Sequence, residues 1–491
     1  MKKSQFLLLL LILLLGFFFR TYQLVERMDF GHDADLYSWI VKDIVINGHQ
    51  RLIGQEITAP GIFLGALFYY LLVPFYLIFN MDPYASIFPI TIIGMLTILS
   101  YYFVFSKLFN KKVGLIASFL YAVLISAAVW FDRILVPSTP TNLWTIWYFY
   151  TVIMLSRGKF QVLPLLGILI GLIWHIHIAL VPSLAAIPAA FWVSGKLPNL
   201  SQIIKFLLAL FVTSLPLIIF ELKHNFQQTI NLLQNFTAQR EGSAEGFYKF
   251  QLVLSMINKN INNLLLAPQS LKVGENILPI SILLSSFWLI KKKLIEKKEL
   301  IPMFAWLLGV ILFFSVSSSP ISEYYFYNIE IIFLSIFSIL LYAILKKSSV
   351  GKIFVLILLT TIAVKNIYSL IADDPYHKGY IEKKAVVDYI INDAKAKNFP
   401  CFSLNYITSF GENVGFRYFF FLKNAHIAVA GRGSPVYSIV IPDEYAIKEV
   451  KVKFGHIGVI PPTEIASKET IQEACSGQNT NLTDPMFGYV E

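Results

Sequence analysis

The sequence predicts an all-α, polytopic membrane protein that carries a small α/β domain at its C-terminal end. Three observations lead there. The 491 residues are 56% hydrophobic and only 14% charged, where an ordinary soluble domain holds about 25% charged residues, and the mean hydropathy is +0.64. Leu- and Ile-rich runs approach bilayer-spanning length, ~20 residues, again and again. The segments between them alternate between short basic stretches and longer acid-bearing ones, the asymmetry that orients helices in membranes.

The chain opens with Lys2 and Lys3 before an apolar core. A secretory signal would continue into small residues at a cleavage site, but Phe17, Phe18, Phe19 and Arg20 follow instead. The segment is therefore read as a retained first helix with its lysines in the cytoplasm. Further apolar runs at 86–106, 113–131, 141–155, 161–176, 178–194, 203–220, 277–290, 301–316, 326–345 and 352–370 bring the expected spans, with 5–20, to eleven. The basic connectors KLFNKK, SRGK, the stretch from Lys196 to Lys205, KKKLIEKK and KKSSVGK then all fall on the inner side. Segments 21–85, 132–140, 221–276, 317–325 and 371–491 fall outside. The run GIFLGALFYYLLVPFYLIF at 61–79 is long enough to cross, but crossing would reverse every later basic loop. It is expected to form one or two juxtamembrane helices on the outer interface, broken near Pro74. The net charge of +10 sits in these short loops, which argues against a nucleic-acid partner.

From about residue 371 the composition turns polar and mixed. KKAVVDYIINDAKAK reads as a helix, CFSLNYI and VYSIVIP as strands, and FGENVGFRYFFFLKN as a helix between them. The expected organisation is a membrane domain over 1–370, with the first outer loop at 21–85, followed by an extracytoplasmic domain over 371–491. Localisation would be the cell membrane. Cys401 and Cys475 are the two cysteines of the chain. They could pair in an oxidising compartment, or stand as two thiols.

Candidate chemistry collects on the outer side. The first outer loop begins RMDFGHDADLYSWIVKDI, with Asp29, Asp33 and Asp35 around His32. If 34–46 is a helix, Asp33 is its N-cap and Asp35 lies in its first turn, where carboxylates are favoured for structural reasons alone. A carboxylate at a membrane boundary can also have a raised pKa and act as a general base. Asp132 and Arg133 stand where a helix meets the interface. They fit an interfacial ion pair, or, for Arg133, a phosphate clamp, since guanidinium matches phosphate geometry. His175 and His177 would point about 200° apart on a continuous helix and could share a site only across a break. HxH without a third ligand is a weak metal signal. Glu323, in SEYYF, and Tyr324 lie just before the tenth span. Walker and Rossmann phosphate loops and zinc-type Cys/His spacings do not occur in the sequence, so nucleotide-driven transport has no support. Asn-x-Ser/Thr triplets occur at Asn199, Asn235 and Asn481.

Taken in order, these segments resemble GT-C fold glycosyltransferases of family 39, the protein O-mannosyltransferase and aminoarabinose-transferase type, and the bacterial members most of all. The resemblance covers residues 1–370, and the tail is also similar to those of some bacterial relatives. It is carried by FGHDADLYSWIVKDI after the first helix, ALFYYLLVPFYLIF, LFNKKVGLIASFLYAV, FDRILVPSTP and the late SEYYF. It implies a polyprenyl-phosphate sugar donor used on the outer face, with the sugar moved to a hydroxyl acceptor. By position Asp33 matches the family's catalytic aspartate, which takes or orients the acceptor proton, and Asp35 is the reserve candidate. The resemblance gives Arg133 the donor phosphate, an electrostatic role. It sets His32, Asp132, His175, His177, Glu323 and Tyr324 around the cavity. Ala34 stands where the family often has Glu after the aspartate. Leu64 to Phe68 stand where many relatives place His or Glu, so a divalent metal stays open, with Glu56 nearby. Pro137 and Ser138 stand where some relatives carry a second acid. Two other readings compete. A flippase for polyprenyl-linked glycans would show charges at mid-membrane or two similar halves, whereas these spans are charged mainly near their ends. A polysaccharide polymerase or ligase would use basic residues of a late outer loop, such as Arg240, Lys249, Lys259 and Lys272.

Overall fold

The computed structural model describes residues 3–57, 59–237, 246–266, 276–317 and 320–481. Arg240 and Lys272 lie outside them. The chain forms two compact units. The first comprises Met1–Tyr22, Leu52–Phe68 and Ile90–Asp373; the second comprises Gln23–Arg51, Tyr69–Pro89 and Asp374–Glu491.

The first unit is helical, and each of its apolar runs folds as helix. Among the described residues six helices are long and apolar enough to cross a membrane: Lys3–Thr21, Pro83–Leu108, Leu200–Lys223, Lys297–Val316, Glu323–Lys347 and Ser349–Ala372. Phe160–Ile176, Ile178–Ser194 and Ile277–Lys291 are apolar but shorter. This is a multi-pass membrane protein. The run at 113–131 is less regular than its hydropathy predicts. Asn110 caps its start by accepting from the Lys112 and Val113 amides, the α-helix ends at Val123, and Ser126–Phe131 is wound as a π-helix. Helices Leu163–Ile176 and Leu200–Lys223 pack closely. Gly167 and Gly171, one turn apart, present bare backbone to the carbonyl of Phe206 and the side chain of Thr213, where a Cβ would collide. Small residues at this spacing are the usual way for membrane helices to approach.

Several elements escaped the sequence reading, among them helix Gln227–Thr237 and helix Lys468–Cys475. Gly246–Leu266 is a helix that buries Val253, Ile257, Ile261, Leu264 and Leu265 along one face. Its interleaved Asn and Lys residues hide that stripe from a hydropathy window. Ile53–Glu56 and Phe63–Gly65 pair as a short antiparallel hairpin.

The run at 61–79 therefore differs from its expected form. Its first residues are turn and strand, and only Leu67–Ile78 is helical. Twelve residues of α-helix span about 18 Å, short of the ~30 Å hydrocarbon core. The helix is not broken at Pro74. It continues through that residue, forgoing the one backbone bond that a proline cannot donate.

The second unit is α/β. Strand Ser403–Thr408 runs parallel to Val436–Ile441, which pairs antiparallel with Ile457–Ile460, itself in a hairpin with Val452–Phe454. Helix Tyr380–Ala396 covers the sheet through Val386, Val387, Ile390 and Ala394. The expected helix over 410–424 is confined to Phe416–Leu422, because Gly411 and Gly415 adopt φ of +87° and +90°, outside helical backbone. Cys401 and Cys475 form a disulfide.

Two stretches from the N-terminal part of the chain are built into this unit. Phe30 packs its ring on Tyr380, Tyr418 and Phe419. Trp39 meets Tyr418 edge-on at 5.1 Å. The Tyr380 amide donates to the Met28 carbonyl at 2.8 Å, and the Tyr418 hydroxyl to the Met81 carbonyl at 2.8 Å.

Candidate functional site

The acidic first-loop helix runs His32–Lys42, starting earlier than expected. Gly31, not Asp33, is the N-cap, and its backbone is extended without a side-chain cap. Asp33 and Asp35 both fall in the first turn, where the free amides and the helix dipole favour negative charge. Their environments then diverge, because positions two apart on a helix face different ways. Asp33 keeps 48% of its side chain exposed and stands 3.5 Å from His32, itself 73% exposed. Asp35 turns inward, and its Oδ1 is shut away from solvent without a hydrogen-bond partner. Burial raises its pKa to about 6, against the opposing pull of the Gly415 backbone, Lys383, His32 and Trp39.

Beside Asp35 lies Lys383, buried in the same unit. Its ammonium donates to the carbonyls of Phe30 and Val414, each at 3.1 Å, and lies 5.5 Å from the centre of the Phe416 ring. Desolvation lowers its pKa, opposed by the nearby carboxylates of Asp29, Asp35 and Glu412. The first loop closes with a second polar knot that the sequence did not reveal. Asp43 accepts from Asn47 at 2.7 Å and Arg51 at 2.6 Å, and lies 2.9 Å from Nδ1 of His49. Burial pushes its carboxyl upward, but these donors outweigh it and the pKa is lowered. Asp82 likewise receives the Tyr380 hydroxyl and the Lys384 ammonium, both at 2.6 Å.

The remaining candidates belong to the helical unit. Asp132 pairs with Arg20, not with Arg133. The Arg20 guanidinium reaches Asp132 Oδ2 at 2.6 Å, and the Tyr121 hydroxyl donates to Oδ1 at 2.8 Å. Arg20 also donates to the carbonyls of Gly16 and Ala122 at 3.2 Å. Sequence could have signalled this pair, since each charge ends an apolar helix and unlike charges at membrane depth seek each other. Arg133 donates to the Phe19 carbonyl.

The helix does break between the two histidines. It ends at Ile176, and His177 is extended and caps the next turn by accepting from the Ala179 amide at 3.0 Å. The break sends them to different neighbours. His175 lies against the Thr213 carbonyl at 3.0 Å. His177 meets the rings of Tyr324 and Tyr325 at 5.3 and 5.2 Å. Glu323, adjacent in sequence to Tyr324, holds Lys259 at 2.5 Å, and Asn260 donates to its carbonyl at 2.8 Å. His177, Glu323 and Tyr324 thus share one neighbourhood with the helix that carries Lys259. A buried acid, Glu330, follows seven residues after Glu323 at the start of helix Glu330–Lys347 and was not singled out by sequence. Among the described residues no three His, Cys, Asp or Glu side chains are grouped to hold a metal ion.

The fold, a multi-helix apolar unit with a small sheet unit, is shared with solved structures. The chain is similar to ArnT from Cupriavidus metallidurans bound to undecaprenyl phosphate, with a TM-score of 0.59 at 11% identity over 94% of this chain and 98% of that one. The apo state of the same protein gives 0.55 at 11% identity over 92% and 97%. The archaeal oligosaccharyltransferase AglB from Archaeoglobus fulgidus, in complex with an inhibitory peptide and a dolichol-phosphate, gives 0.48 at 12% identity over 94% and 74%. No protein-family model matches the chain, and neither does any curated protein.

Proposed function

We propose that this protein is a membrane glycosyltransferase that moves a sugar from a polyprenyl-phosphate donor to a hydroxyl of its acceptor on the outer face of the cell membrane. The observation that carries the reading is the fold shared, over nearly the whole of both chains, with a protein crystallised with undecaprenyl phosphate. Asp33 is the proposed base. Its carboxylate is open, at the start of a helix, where an acceptor hydroxyl can approach it and give up its proton. Asp35 is the worse candidate despite its raised pKa, because its side chain turns inward and its Oδ1 is shut away from solvent, which leaves less of the carboxyl open to an acceptor than at Asp33. Arg133 is assigned the donor phosphate, where a planar guanidinium stabilises the leaving group. The N-terminus is placed in the cytoplasm and the α/β unit outside, on the alternation of basic loops.

The test is reconstitution in lipid with polyprenyl-phosphate sugars and mixed hydroxyl acceptors, reading release of polyprenyl phosphate. Asp33→Asn is expected to lower turnover by about 10²–10⁴-fold at unchanged protein level. Full activity in that variant removes Asp33 from the mechanism.

A further inference from the structure

The second unit holds a cleft that the proposed transfer does not use. It has a volume of about 400 Å³ and is lined by Asp374, Tyr376, Lys378, Ser409, Glu412 and His456 among others. Small-ligand clefts run about 300–1,000 Å³ and combine an apolar or aromatic surface with a few placed polar groups. Tyr376 supplies the aromatic surface, with 64% of the residue exposed. Asp374 supplies a carboxylate whose side chain is 86% exposed. His377 Nε2 lies 3.4 Å from its Oδ1, and the remaining lone pairs are open to hydroxyl donors.

Charge narrows the ligand. The ammonium of Lys378 is held by Glu412 at 2.7 Å and lies 4.6 Å from the centre of the Tyr376 ring. The one lysine of the lining is therefore already neutralised, and Asp374 adds a further negative charge. A phosphate or uronate would meet net repulsion. A neutral pyranose would not. Its C–H face suits an aromatic ring, and its hydroxyls can donate to Asp374 and Glu412 and exchange hydrogen bonds with Ser409 and His456.

We propose that this cleft binds a neutral sugar residue of a glycan. The inference deepens the transferase reading, on which its meaning rests, by making a glycan part of the acceptor.

The experiment is equilibrium binding by the full chain in lipid nanodiscs, without donor. Neutral hexose and N-acetylhexosamine oligosaccharides are titrated, with inorganic phosphate run separately. Saturable binding of a neutral oligosaccharide is expected, unaffected by phosphate and weakened about fivefold to tenfold in Tyr376→Ala and Asp374→Asn. Both side chains are exposed, so the thermal transition should stay put, which shows that the variants are folded. Three results overturn the proposal: no saturable binding of any neutral sugar, affinity equal in both variants and wild type, or displacement by phosphate. Donor cleavage on the same preparation separates the two readings. Binding without cleavage keeps the cleft and removes the transferase; cleavage without binding does the reverse.

Discussion

The ammonium of Lys383 donates to the carbonyl of Phe30 across 353 residues of sequence, at 3.1 Å. It ties the start of the acidic helix to the tail helix. Lys383→Met leaves the Phe30 and Val414 carbonyls buried without that donor and deprives Asp35 of its nearest cation. We expect a loss of about 2–3 kcal/mol, read as a lower unfolding midpoint with early proteolysis in residues 23–51. An unchanged midpoint would show that the lysine holds nothing.

Asp35 makes stability depend on pH in a definite direction. Its pKa in the folded protein is about 6, above the ordinary 3.8. Between those values the folded state holds a proton that the unfolded chain releases, so stability falls as pH rises through about 4 to 6. Above that window the penalty is complete, about 3 kcal/mol. Asp35→Asn should be more stable than wild type at pH 8 and equal to it near pH 4. Denaturation series at the two pH values check this, and a gain of equal size at both refutes the assignment.

In the helical unit, the buried Arg20–Asp132 pair leaves little room for change. Arg20→Met strands a buried carboxylate and should cost about 3–5 kcal/mol. Replacing both residues with apolar ones should recover much of it. Gly94→Ala acts on the same pair from the side, since its Cβ would come within 2.7 Å of the Arg20 Cδ and Nε atoms. Thermal unfolding in detergent ranks the three variants. Equal stability of the single and double replacements would contradict an ion-pair role.

The disulfide joins residues 74 apart in sequence. A loop of that size should contribute about 4 kcal/mol by restricting the unfolded chain. Cys401→Ser should lower the unfolding midpoint of the second unit, and reductant should do the same to wild type only. Mass analysis without reductant should find neither cysteine free.

Much of this fold was legible because bilayer physics writes itself plainly into sequence. Most long apolar runs became helix, the first part of 61–79 excepted, and the tail's strands at 401–407 and 436–441 followed from alternation and β-branched residues. The Gly246–Leu266 helix was not legible, because Asn and Lys residues interrupt its apolar stripe, and two of them, Lys249 and Asn260, are themselves buried. The acidic helix was found, but its cap was misplaced by two residues, since Gly31 offers no side chain to mark the start. Partners at long range were the true blind spot. Nothing local to Asp35 announces Lys383, and the pairing of Asp132 with Arg20 over the adjacent Arg133 could be suspected only from charges that end two separate apolar helices. Those choices are made by packing between segments more than a hundred residues apart.

The assembly of the second unit from three separated stretches has a consequence for how the protein is made. Residues 23–51 leave the ribosome hundreds of residues before Tyr380, Lys383 and Tyr418, whose side chains complete their surroundings. The acidic helix must wait for almost the entire chain to be synthesised before it can settle, and contacts of such sequence separation form late. A chain cut short between the last apolar helix and Tyr380 would reach the membrane with its helices in place and its aspartates unsupported. Completion of the tail is then a built-in checkpoint, and newly inserted, unfinished copies are the ones a quality-control protease should find first.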